Sequence, residues 1–391
     1  MKVAGASGQI GRNGFTSSAR AVFRMLFSQG QATRPQLCDA LSLSRPTMSS
    51  SMAELDRFGY VEKIGEIQGA VGRKAAMYRL GENAGHIISV DAGSTHVRLR
   101  VSTLDRRLLH HRTYRLSSSQ RYLGDEISAA VAEEIQAARD LTEKTWGPLR
   151  AIGIALPSRV VNDDGDARMT RQEQIFSHFT PPSEVPVVLE NNVNCAAIAE
   201  HSHGIAKGRQ DFAYVQIGLK IGMGIVLRGQ LLQGRNGAAG EISHIAFPFA
   251  PNALPSNAAE LEYYLGSEAL MARVQQSWPA NAAAPPQDTT QLLTLAEGGS
   301  EAANAAVERH ARDIGAVVAT CISIVDPGLV VLGGGIGTSP LILSHVRDTA
   351  NRLSYPTEIK SSTLGAEATV LGIEQLAAEH ACNLLIGDSV E

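Results

Sequence analysis

Two stretches of this chain, HIISVDAGSTHVRLRVSTLDRRLLHHRTYRL at 86–116 and AYVQIGLKIGMGIVLRGQLLQG at 213–234, follow one plan: apolar strand, glycine turn, second strand, turn, further strand. Alternating apolar residues interrupted by glycine turns read as antiparallel hairpins. Helices and apolar strands follow each unit. GDEISAAVAEEIQAARDLTEK and AIGIALPS come after the first, and EAANAAVERHARDIGAVVATCISIVDPGLVVLGGGIG after the second. A duplicated α/β domain with its ligand between two lobes is therefore expected. Glycine turns can bring backbone N–H groups up to phosphate, but tight hairpins need glycine for geometry in any case.

At 391 residues the chain exceeds what one hydrophobic core usually supports, so several domains are expected. No apolar run reaches the roughly 20 residues of a membrane span, and MKVAGASGQIGRNG lacks the apolar core of a signal peptide. A cytoplasmic protein with no membrane partner is the simplest expectation. Cys38, Cys195, Cys321 and Cys382 are far apart and form no CxxC pair, which argues against a disulfide framework or a cysteine-rich metal site. The net charge of −4 hides an asymmetry: residues 1–80 carry eleven Lys/Arg and five Asp/Glu, a balance of +6, and the remainder carries −10. A basic head on an acidic body points the head at a polyanion.

The head reads as helices. Ser17–Gly30 places Ala21, Val22, Met25 and Leu26 on one face. Thr33 with Gln36 has capping-box spacing for a short helix from Arg34 to Leu41, and Pro35 suits its first turn. Ser44 then caps a third helix, Arg45 to Phe58, with Met48, Met52 and Leu55 as its apolar stripe. This is the helix-turn-helix arrangement, whose last helix enters the DNA major groove by its N-terminal residues. YVEKIG and KAAMYRL, around the loop EIQGAVGRK, read as a wing. Arg34, Arg45, Pro46, Thr47, Ser49, Ser50, Arg73 and Lys74 are the expected DNA-contacting residues: small side chains allow close approach to phosphate and the cations supply charge. The chain is thus expected to divide into a flexible arm at 1–14, a winged helix-turn-helix domain at 15–82 and a two-lobed body at 83–391.

In the body, LENNVNCAAIAE at 189–200 runs an apolar strand into two asparagines and an alanine-rich helix. Asparagine donates and accepts hydrogen bonds but takes up no proton at neutral pH, so the turn can hold a ligand without reacting it. His244 alone would read as a structural histidine, Glu262 as a solvated acid at a helix start, and the GGGIG at Gly333–Gly337 as an ordinary strand-to-helix turn.

In combination these segments resemble the ROK family (repressors, open reading frames and kinases), in its transcriptional-regulator branch. DAGST resembles the family's first phosphate turn, LENNVNCAAIAE its ENDxNxAAxxE, GAAGEISH its GxxGExGH, and DPGLVVLGGGIG and STLGAEATVLG its later segments. The resemblance implies an N-terminal winged helix-turn-helix domain followed by an actin-like, two-lobed sugar-kinase-type domain. It also implies a sugar-binding set of Asn191, Asn192, Glu241, His244 and Glu262. The kinases' catalytic aspartate matches Asn192, so the base is missing and phosphoryl transfer is expected to be severely impaired. Asp91, Gly93 and Thr95, with Gly218, Gly222 and Gly224, fall on the two phosphate turns. The second of these reads GLKIGMG instead of GTGxGxG, so both turns are expected to be vestigial and ATP is not expected as a cofactor. The family's zinc cysteines are absent after His244, so no metal is expected, and Phe247, Pro248, Phe249, Pro251 and Pro255 are expected to stiffen that loop instead.

The expected function is a homodimeric or homotetrameric transcriptional regulator. It would bind a double-stranded DNA operator as a repressor of carbohydrate-metabolism genes and respond to a sugar or sugar phosphate. An ATP-dependent sugar kinase carrying a DNA-binding head, and a regulator controlled by a protein partner, are the rival readings.

Overall fold

A computed structural model describes residues 2–4, 14–68, 74–120, 122–161, 171–246 and 260–387. The chain forms two compact units. The first comprises 1–158, 170–190 and 373–391; the second comprises 159–169 and 191–372.

The first unit opens with strand β1 (Lys2–Ala4). The head follows: α1 (Ser17–Gln29), β2 (Gln31–Thr33), α2 (Arg34–Leu41), α3 (Arg45–Arg57), β3 (Val61–Gln68) and β4 (Lys74–Leu80). Side-chain caps set these helices. Thr16 accepts from the Ala19 amide, Ser44 from the Thr47 amide, and Thr33 with Gln36 forms a reciprocal capping box, satisfying amides that a helix start leaves unpaired. Gly30 ends α1 at a φ of 78°. The wing strands make a three-stranded sheet in the order β2-β4-β3.

The same unit continues with β5 (His86–Ala92), β6 (His96–Thr103), β7 (Leu108–Arg115), α4 (Asp125–Asp140), β8 (Leu149–Leu156) and β9 (Val187–Asn191). Their sheet has the order β1-β9-β8-β5-β6-β7. Packing does not break at residue 82. The head's buried Phe23, Leu26, Leu37, Met52 and Leu55 belong to one core that takes in Ile87 and Ala151 of this sheet, and Ala377, Ala381 and Leu385 near the C-terminus.

Residues 1–14 were expected to form a flexible arm, but Lys2–Ala4 pair antiparallel with β9, Lys2 opposite Leu189 and Ala4 opposite Val187. The exposed edge of an apolar strand leaves a row of unpaired backbone groups that a short segment can cover. The Lys2 ammonium adds an ion pair to Glu173 at 2.7 Å.

The second unit holds α5 (Asn192–Ser202), β10 (Phe212–Ile217), β11 (Ile221–Leu227), β12 (Gln230–Leu231), α6 (Glu260–Leu265), α7 (Ser267–Ser277), α8 (Thr289–Glu297), α9 (Glu301–Val325), β13 (Leu329–Gly333), α10 (Gly334–Gly337), α11 (Pro340–Leu353) and β14 (Glu358–Ser361). Its sheet runs β12-β11-β10-β13-β14. This repeats the order β7-β6-β5-β8-β9 of the first unit. In both, an antiparallel meander is extended by a parallel strand beside its first member, β8 beside β5 and β13 beside β10. The fold is α/β and actin-like, duplicated as the two hairpin stretches imply, behind a winged helical head. A final helix, α12 (Ala368–Ile386), begins in the second unit and ends in the first.

Candidate DNA-binding and effector sites

Arg45, Pro46, Thr47, Ser49 and Ser50 are all exposed on the first turns of α3, while Met48 between them is buried in the head core. That is the disposition a recognition helix needs: apolar residues inward, short polar side chains and one guanidinium outward at the N-terminal end. Ser51 turns inward and donates to the Ser18 hydroxyl at 2.9 Å, fixing α3 on α1. Arg34 is exposed but held, its guanidinium 4.9 Å over the Tyr78 ring of β4, which ties the start of α2 to the wing. Lys74 is exposed at the first residue of β4. Arg73 lies outside the described residues.

In the second unit Asn191 caps α5. Its Oδ1 accepts from the amides of Val193 at 2.9 Å and Asn194 at 3.3 Å. Asn192 is the first residue of α5 and half-buried. Helix α5 packs on β10 and β11. Gly224 allows this approach, since a Cβ there would lie 2.7 Å from the Ala197 methyl, and one at Gly222 would lie 2.9 Å from Val193. Both glycines therefore lie in strand β11 beneath the helix, not in the turn where a phosphate role was expected. Of the three, Gly218 is in the turn. Its N–H donates to the Lys220 carbonyl at 3.0 Å and its carbonyl accepts from Ser267 at 2.9 Å.

Strand β11 also packs on the short 3-10 turn Ile242–His244, and that turn on α6. Glu241, His244 and Glu262 are thereby brought together on elements that neighbour one another. Gly240, at a φ of 82°, has no room for a Cβ, which would sit 1.9 Å from the Met223 carbonyl; this glycine sets the approach of Glu241 to the strand. Glu262 is buried, Glu241 half-buried and His244 exposed. Burial pushes the Glu241 carboxyl above its ordinary value, opposed by its electrostatic interactions with His244, Arg159 and Lys220.

Arg159 and Lys220 were not among the expected site residues. Lys220 was visible only as an added cation whose direction a turn sequence does not reveal. Arg159, in PSRV after an apolar strand, carries no local signal; its guanidinium donates to the Asn236 carbonyl, beside the loop that leads to Glu241.

In the first unit the DAGST turn keeps its polar letters, but Asp91 is engaged. Arg98 Nη1 donates to Asp91 Oδ2 at 3.2 Å, and the two side chains are 21% and 6% exposed. They are direct partners across the β5–β6 hairpin. Thr95 is exposed, with its hydroxyl 3.0 Å from His96 Nδ1, and Gly93 lies between Asp91 and that threonine in the same turn. Arg98 was a further omission, and a legible one: a hairpin folded about Ser94 and Thr95 places residue 98 opposite residue 91.

The donors present do not fit the family's zinc module. His244 is the one ligand type in place, and among the described residues no three His, Cys, Asp or Glu side chains could hold a metal ion. Cys195, Cys321 and Cys382 are buried, and burial pushes the Cys321 and Cys382 thiols up to about 12, so they are not the thiolates such a site needs. Residues 247–259, with the expected loop-stiffening Phe247, Pro248, Phe249, Pro251 and Pro255, lie outside the described residues.

Residues 87–380 match the ROK family. The chain belongs to the ROK family. It is 23% identical over 375 residues to the xylose repressor of Bacillus spizizenii, covering 92% of this chain and 94% of that protein. It is 24% identical over 340 residues to the DNA-binding transcriptional dual regulator NagC of Escherichia coli, covering 83% and 82%. Among solved structures, a ROK family transcriptional regulator homologous to the E. coli MLC protein superposes with a TM-score of 0.70 at 21% identity, over 94% of this chain and 96% of its own. The ROK hexokinase of Thermus thermophilus matches with a TM-score of 0.60 at 27% identity, over 75% of this chain and 99% of its own. Among the described residues no helix is long and apolar enough to cross a membrane.

Proposed function

We propose that this protein is a cytoplasmic, DNA-binding transcriptional repressor of carbohydrate-metabolism genes that responds to a sugar or sugar phosphate and does not transfer phosphate. The observation that carries this reading is the exposed polar N-terminal face of α3, Arg45 to Ser50, in a chain whose Asn192 stands where the ROK kinases have their base. Whole-length similarity to proteins named as repressors supports it. Two heads of a homo-oligomer would read a roughly palindromic operator, α3 in the major groove and the wing on the backbone. Asn191, Glu241, His244 and Glu262 would hold the effector's hydroxyls, with Asn192 as an amide partner in place of a base. A bound effector alters DNA affinity only through its preference between two arrangements of the protein.

DNA selected from a random pool by the full-length protein, titrated with and without xylose, N-acetylglucosamine and their phosphates, tests this. One sugar should change the affinity, Glu241→Ala should abolish that change, and Arg45→Ala should weaken DNA binding by about 10-fold or more. Selection of no DNA sequence, or no response to any sugar, would sink the reading. The similarity to the hexokinase favours the rival kinase reading, and ATP-dependent sugar turnover would establish that instead.

A further inference from the structure

Helix α12 has 19 residues and is about 28 Å long. Its first turns belong to the second unit and pack on α5. The Thr369 hydroxyl lies 3.5 Å from the Asn192 carbonyl, and Ala368 and Leu371 join the cluster of Val193, Ala196 and Ala197. Gly372 is pressed so closely on α5 that a Cβ would lie 1.7 Å from the Cys195 carbonyl. Any displacement at the N-terminal end of α5 is therefore felt by the start of α12.

The rest of α12 belongs to the first unit and closes the head's core. Arg24 of α1 donates to Asn383 Oδ1 at 3.1 Å and to the Gly387 carbonyl. The buried Glu374 carboxylate accepts from Arg100 of β6 at 2.9 Å, which guides the middle of the helix along the sheet. Arg106, from the turn after β6, lays its guanidinium 4.8 Å over the Phe27 ring and donates to the Phe27 carbonyl at 3.1 Å, at the C-terminal end of α1. The head is thus held by directional contacts. A groove open to solvent, about 630 Å³ in volume, runs beside α1 and α12, lined by Arg24, Met25, Leu41, Glu379, Cys382 and Asn383. The helix is tight where it meets α5, and beside α1 it borders a groove open to solvent.

We infer that α12 is the rod that carries effector occupancy to the DNA-binding head. The inference rests on the proposed effector site at the start of α5. A helix is stiff along its axis, and shifts of about 1–2 Å at a packed interface are enough to switch an oligomer's arrangement. Sugar contacts at Asn191 and Asn192 bias the position of α5, Thr369 and Gly372 convert that bias into a shift of α12, and Asn383 passes it to α1 through Arg24.

The test uses full-length protein with selected DNA and whichever of xylose, N-acetylglucosamine or N-acetylglucosamine 6-phosphate changes wild-type DNA affinity. Wild type should show a change of about fivefold or more, in the usual range of coupling between sites. The variant Thr369→Val with Asn383→Leu should keep sugar affinity and sugar-free DNA affinity within about threefold, yet respond to the sugar by less than twofold. A full wild-type response in that variant, or a loss of its sugar-free DNA binding, would overturn the rod. Should the double variant melt early, hydrogen exchange in wild type decides: sugar should alter protection in both α12 and α1, and unchanged α12 amides refute the inference. If no sugar affects wild-type DNA binding, it is the effector reading that fails, and the rod with it.

Discussion

The hairpins β5–β6 and β10–β11 hold the same place in two sheets of the same order, and their turns are built in opposite ways. The first keeps its aspartate, glycine and threonine, but Arg98 neutralises the acid from across the ladder. The second carries Leu219 and, in Lys220, a cation whose field acts on Glu241. One turn is altered by a partner outside the motif, the other by residues within it. A matching motif therefore says which groups are present, not whether they are available.

The contrast can be broken experimentally, most severely at the ion pair. Asp91→Ala leaves the Arg98 guanidinium without its cross-strand partner in a largely buried position, and should cost about 2–3 kcal/mol in denaturant unfolding. A loss below about 0.5 kcal/mol would mean that Asp91 is no more committed than a surface acid.

Lys220→Met is the milder counterpart on the other hairpin. Burial raises the Glu241 carboxyl, and Lys220 is one of the charges opposing that rise, so its removal should raise the carboxyl further. A raised carboxyl favours the protonated fold: its contribution is complete below the ordinary value of 4.5 and is lost as pH climbs through the folded value. The variant should match wild type in acid and fall behind it toward neutrality by less than about 1 kcal/mol, read from thermal melts across pH. Equal deficits at every pH would remove the coupling.

The smallest expected effect is none. On the proposed reading, Asn192→Asp supplies a side chain of the type that contributes about 10²–10⁴-fold as a base, but Asp91 is still paired with Arg98 and Leu219 and Lys220 still occupy the second turn. ADP release with sugars should stay at background, and efficient turnover would show that neither Arg98 nor Leu219 and Lys220 matters.

Much of the head was legible because its signals are local. Thr33, Gln36 and Pro35 set α2 at Arg34–Leu41 as expected, and Ser44 starts α3 at Arg45. The duplicated sheets were likewise readable from alternation and glycine turns. What escaped notice is carried by residues far apart in sequence. The edge pairing of Lys2–Ala4 with Val187–Leu189 has no local pattern, and Arg106 beneath α1 looks like any exposed turn arginine until the turn is folded. Glu241 was found by motif, but its surroundings, Arg159 above all, required the tertiary structure.

The head's core is completed by α12, nearly 300 residues further along the chain. At roughly 5–20 residues per second of synthesis, the reading helices emerge from the ribosome about 15–60 s before the surface that must cover Phe23 and Leu26. Nascent chains in that interval carry a basic, helix-forming segment with an open apolar flank. Molecules broken off before Ala368 would leave that flank uncovered permanently, so early termination should yield material destined for degradation and not a constitutive DNA binder.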